Sequence, residues 1–66
     1  MKPSKRVIIY PKDVQRLTGK HERSCLRLLD KIRRELGKRV DGLVTIYEFC
    51  DYTGLDEELV RGYLLD

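Results

Sequence analysis

One histidine and two cysteines are the first residues to weigh for chemistry. His21 and Cys25 stand four apart, a spacing that can chelate a metal from one helix face. A structural zinc site needs four ligands, and no further Cys or His lies nearby, so no metal site is expected. Cys25 also falls on an apolar stripe. Free cysteines pack as small hydrophobes, and Cys25 and Cys50 are expected to be buried thiols, a disulfide being the minor reading. The chain has no Gly-rich phosphate loop and no nucleophile motif, so neither an enzyme nor a cofactor is expected. Asp56, Glu57 and Glu58 form an acidic run, but at a helix start such charges simply complement the dipole.

The cations point to a clearer chemistry. Residues 1–40 hold 13 Lys and Arg against 4 acids, while residues 41–66 hold one Arg against 7 acids. The halves therefore carry +9 and −6, which gives the net +3 of the chain. A basic half in so small a chain suggests a side that faces a polyanion. Position along a helix sharpens this. With Cys25 at 0° and about 100° per residue, Leu28, Leu29, Ile32 and Leu36 lie within about 60° of it. Arg23, Arg34 and Arg27 then fall at about 160°, 180° and 200°, Lys20 and Lys38 at about 220°, and Lys31 at about 240°. Asp30 is the one acid near the centre of that face.

Such a stripe attracts phosphates. Arginine also reads guanine edges in the major groove through two parallel hydrogen bonds. Base contacts come from the N-terminal part of a recognition helix, which nominates Arg23 and Arg27, with His21 and Ser24 beside them. Lys20, Lys31, Arg34 and Lys38 suit phosphates. Lys2, Lys5 and Arg6 form a basic arm able to follow the backbone or enter a minor groove. The partner implied is double-stranded DNA. A solvated or protein-facing stripe is the competing reading.

The elements that must carry these residues follow from local signals. After the arm of residues 1–6, Val7 to Tyr10 is a short β-type run. Pro11 suits the first position of a helix from Pro11 to Thr18, and Gly19 stops it. A second helix runs from about His21 to Leu36, with Gly37 as its stop. Asp41-Gly42 marks a turn. Thr45 and Glu48 have capping-box spacing and start a helix from Ile46 to Thr53, stopped by Gly54. Asp56 caps a last helix from Glu57 to Leu65. The four tyrosines, Tyr10, Tyr47, Tyr52 and Tyr63, are expected to be partly buried with the hydroxyl at the surface.

An internal repeat ties these elements together. At an offset of 35 residues, Ile9 falls on Val44, Asp13 on Glu48, Val14 on Phe49, Thr18-Gly19 on Thr53-Gly54, and Cys25 on Val60. One short helix pair cannot bury its apolar face alone, but two can pack on each other. Val7 to Ile9 and Leu43 to Thr45 would then pair as a small antiparallel ribbon. The expected fold is all-α. Two tandem helix-turn-helix-like hairpins, residues 7–37 and 43–65, pack as one small domain of four helices over residues 1–66. Sixty-six residues bury only about 60% of their unfolded surface, so the core has little to spare. No apolar run approaches the ~20 residues of a membrane span, and a cytoplasmic location is expected.

The segment Tyr10 to Gly19, followed by Arg23, Leu28 and Leu29, resembles the helix-turn-helix of excisionase-like and MerR-like DNA-binding proteins over about residues 9–30. The resemblance implies a short helix, a Gly-containing turn and a recognition helix that reads DNA. It also implies a regulatory role or one accessory to a mobile element. Residues 43–65 place Asp56, Glu57 and Glu58 where phosphate contacts would be needed, so the second unit is not expected to bind DNA. The alternative is a protein-interaction or self-association module without nucleic-acid binding. It would act through the acidic C-terminal half, as a homodimer or with a protein partner.

Overall fold

The computed structural model describes residues 7–64. The basic arm with Lys2, Lys5 and Arg6, and the residue Leu65, lie outside them. The order is β1 (Ile8–Ile9), α1 (Pro11–Thr18), α2 (Glu22–Glu35), β2 (Val44–Thr45), α3 (Ile46–Thr53) and α4 (Glu57–Tyr63). The fold is mostly helical, with one small antiparallel sheet. Among the described residues no helix is long and apolar enough to cross a membrane.

The first helix of each pair starts and stops by the same chemistry. Glu48 Oε1 accepts from the Thr45 N–H at 2.9 Å, and Thr45 Oγ1 accepts from the Glu48 N–H at 3.1 Å, closing the capping box of α3. At the matching position of α1, Asp13 Oδ2 accepts from the Tyr10 N–H at 2.8 Å. Thr18 Oγ1 donates to the Val14 carbonyl at 2.7 Å and accepts from the Lys20 N–H at 3.2 Å. Thr53 Oγ1 repeats both bonds, to the Phe49 carbonyl at 2.8 Å and from the Leu55 N–H at 3.3 Å. Thr-Gly therefore recurs for a reason: the hydroxyl ties the end of one helix to the start of the next.

Gly19 and Gly54 complete each turn in the left-handed region, at φ 71° and 79°. A Cβ at Gly54 would meet nothing within 4 Å. The cost of Gly54→Ala is therefore that of the backbone conformation alone, about 1–2 kcal/mol. It should appear as a lower urea midpoint with an unchanged slope; an unchanged midpoint would refute this account of the turn.

The expected ribbon forms. Ile8 pairs with Thr45 and Ile9 with Val44, antiparallel. The Ile46 N–H extends the pairing by donating to the Val7 carbonyl at 2.7 Å. Ile9 thus faces its own counterpart in the repeat, which is the pairing a local two-fold axis generates. The helix contacts follow the same relation: α1 packs on α2 and α4, and α3 packs on α4 and α2. Burial does too. Ile9 and Val44, Val14 and Phe49, Cys25 and Val60, and Leu29 and Leu64 are four matched pairs, and all eight residues are buried. Ile32, Ile46 and Cys50 fill out the core.

Three expectations need correction. Leu36 is not part of the buried stripe; it is 48% exposed. It is the C-cap of α2, still in the right-handed helical region at φ −89° and ψ 0°, with its N–H donating to the Ile32 carbonyl at 3.0 Å. Leu28 is only half-buried against the core. The helix α4 ends at Tyr63, because Leu64 turns to an extended conformation and enters the core.

Candidate nucleic-acid interface

The helix α2 carries the cationic stripe. Its apolar side is anchored by Cys25, Leu29 and Ile32, all buried. That orientation leaves Arg23, Ser24, Arg27, Lys31 and Arg34 exposed; Lys20 is exposed too, but it precedes the N-cap His21 and is not on the helix. Asp30, the acid within the stripe, pairs with Arg34 at 3.0 Å. The pair is solvent-exposed, and such pairs hold weakly. Arg23, Arg27 and Lys31 make no ion pair among the described residues. Their charge faces water.

Lys38 does not continue this stripe. Gly37, at φ 70°, reverses the chain after α2. The Lys38 N–H donates to the Arg33 carbonyl at 2.8 Å and the Gly37 N–H to the Arg34 carbonyl at 3.2 Å. This is a Schellman closure, with glycine at the first position past the cap. It turns the Lys38 ammonium toward α3, where it pairs with Glu48 at 3.0 Å. A helical projection to about 220° assumed a helix that has already ended. Arg33 is also held structurally: its Nε donates to the Gly42 carbonyl at 2.6 Å and fastens the loop to α2.

Glu48 therefore serves a capping box and an ion pair together. Burial pushes its carboxyl up, but the Thr45 backbone N–H, the Lys38 ammonium and the Thr45 hydroxyl outweigh this and hold it below its ordinary value of 4.5. A carboxyl lowered on folding adds stability above its unfolded pKa, and loses it as pH falls through the folded one. The Glu48→Gln variant should accordingly show a shallower loss of stability below pH 4.5 than the parent. Parallel acid-unfolding curves would disprove the linkage.

His21 is the N-cap residue of α2 and is exposed, whereas Cys25 is buried with its thiol against the Lys20 carbonyl at 3.8 Å. The two side chains thus lie in different environments. Both cysteines are free and buried. Burial, with Glu57 and Asp56 nearby, raises the Cys50 thiol above its ordinary value, which keeps it protonated and unreactive.

Leu26 is an exposed apolar residue beside the stripe. It is 46% exposed and lines a shallow concavity with His21, Glu22 and Arg23. Its signal in the sequence is a leucine about 100° from Cys25, off the core side of the helix. In the second pair, the positions matching Lys20, Arg23, Ser24 and Arg27 are Leu55, Glu58, Leu59 and Gly62. The same outer face is cationic on α2 and apolar or acidic on α4. Comparison of the chain with protein-family models, curated proteins and solved structures finds no match.

Proposed function

We propose that α1–α2 and α3–α4 are two tandem helix-turn-helix units, and that the first binds double-stranded DNA with α2 in the major groove. The observation that carries this reading is the row Arg23, Arg27, Lys31 and Arg34, exposed on one face of α2, with Lys20 exposed in the turn before it. Arg23 and Arg27, near the N-terminal end of α2, take base edges, with Ser24 and His21 beside them. Leu26 is placed for the methyl group of a thymine. Lys20, Lys31 and Arg34 take phosphates. The arm residues Lys5 and Arg6 follow the duplex beyond the helix.

The asymmetry of the repeat supports the division of labour. Equivalent positions on α4 hold Leu55, Glu58, Leu59 and Gly62, a face that gives phosphates nothing to bind. The resemblance of residues 9–30 to excisionase-like and MerR-like proteins fits a regulatory protein or an accessory factor of a mobile element. The test is a titration with random-sequence duplex at two salt concentrations. Three phosphate contacts give a slope of log affinity against log salt of about −3, so raising salt from about 50 to about 200 mM should weaken binding about fortyfold. Absence of binding at about 50 mM salt would refute the proposal.

A further inference from the structure

One acid of α2 sits where a phosphate-binding face has no use for it. Asp30 stands at about 140° from Cys25, with Leu26, Arg23 and Arg27 at about 100°, 160° and 200°. These four follow the spacing i, i+3, i+4, i+7, so a single ridge along α2 carries them. The other acids of α2, Glu22 and Glu35, fall at about 60° and 280°, outside that arc. A surface that only gathers phosphates gains nothing from a carboxylate at its centre, because like charges repel.

The setting of the carboxylate gives it another use. Arg34 Nη2 holds Asp30 Oδ2 at 3.0 Å. The Asp30 side chain keeps 37% of its surface exposed, and Oδ1 has no ion pair or hydrogen bond among the described residues. Arg34 therefore fixes one oxygen and leaves the other for a group outside the chain. With five N–H donors, Arg34 still reaches a phosphate. An ionised carboxylate only accepts hydrogen bonds, so its partner must be a donor. In the major groove the donors are the amines of cytosine and adenine. Adenine sets its N7 acceptor beside its amine, which a carboxylate avoids, whereas cytosine presents its amine alone. Along the helix axis Asp30 is about 4.5 Å from Arg27, close to one base-pair step of about 3.4 Å.

We propose that Asp30 is a specificity-determining residue of the α2 face, accepting from a cytosine amine about one base step from the guanine that Arg27 reads. This rests on the reading of α2 as a helix that enters the major groove. The carboxylate weakens binding to every duplex by repulsion and offsets this only where a cytosine amine meets it. Specificity is such a difference of affinities.

The test is selection of sites by the full chain from a random duplex pool at about 50 mM salt. Cytosine should be enriched at a position next to a selected guanine. Thymine there puts an acceptor where the amine stood, and should weaken binding about tenfold. Asp30→Ala should bring that ratio to about 1 and bind random duplex as well as the parent or better. Its circular dichroism should match the parent, because the ion pair it breaks is solvent-exposed. Asp30→Asn, with a donor beside its acceptor, should move the preference to adenine. If Asp30 only braced the helix through Arg34, Asp30→Ala would lower the thermal midpoint and leave the base preference in place. An unchanged preference in both variants, or selected sites with no cytosine beside a guanine, would overturn the proposal and leave the DNA reading standing. So would weaker binding of Asp30→Ala to random duplex. A parent chain that binds no duplex at all overturns the DNA reading, and this inference with it.

Discussion

The double variant Arg23→Ala, Arg27→Ala should lose about a hundredfold or more in affinity for a duplex selected from a random pool. A bidentate arginine–guanine pair discriminates by about 1–3 kcal/mol, so two such contacts span roughly thirtyfold to ten-thousandfold. The fold should survive unchanged, because both side chains are exposed and unpaired with any acid among the described residues. Circular dichroism and thermal midpoint then serve as controls. Arg23→Lys with Arg27→Lys keeps the charge but loses the planar fork. That variant should retain the salt slope while losing preference for the selected site. Lys31→Ala should do the reverse, weakening all duplexes alike and reducing the slope by about 1. Full affinity in the double alanine variant would remove α2 from the interface.

The same experiments bear on why one half of a repeat would bind DNA. Matched capping, matched Thr-Gly turns and matched core residues give both helix pairs one scaffold. Scaffold positions are constrained by burial and by backbone hydrogen bonds, so they stay alike. Outer positions meet only water or a partner, so they are free to diverge. Arg23 opposite Glu58, and Arg27 opposite Gly62, are divergences of that second kind.

This distinction also explains what was legible in the sequence. Helix boundaries were, because Pro11, Gly19, Thr45, Gly54 and Asp56 act locally through caps and left-handed turns. The ribbon was legible through the repeat, which puts Ile9 opposite Val44. The stripe from Arg23 to Arg34 was legible because all four of its cations lie within α2, where a projection of about 100° per residue holds. Lys38 was not, since its direction depends on the Gly37 reversal and on Glu48, an acid ten residues away in another helix. Leu36 has the angle of the core side, but it caps the end of α2 and is half exposed. The outer face of α4 was hidden differently. Leu55, Leu59 and Tyr63 are apolar by residue type, and only burial shows that they stand outside the core cluster.

Phe49→Ala should unfold much of the population at room temperature. Phe49 is fully buried and is the largest side chain among the fully buried residues. Its loss costs about 3–5 kcal/mol, from transfer and from the cavity left behind. A chain of this size has roughly 3–10 kcal/mol in total. The position also tests how the two helix pairs depend on each other. The helix α3 packs on α4, on α2 and on both strands, so a cavity at Phe49 opens onto both halves of the repeat. Neither half has a second core to fall back on, because the buried residues of both form one cluster. Amide exchange should therefore lose protection together at Gly19, bonded to the Gln15 carbonyl, and at Gly54, bonded to the Cys50 carbonyl. If Gly19 kept its protection while Gly54 lost it, the first pair would be folding alone. The four matched buried pairs predict the opposite, since half of each pair lies in the other unit.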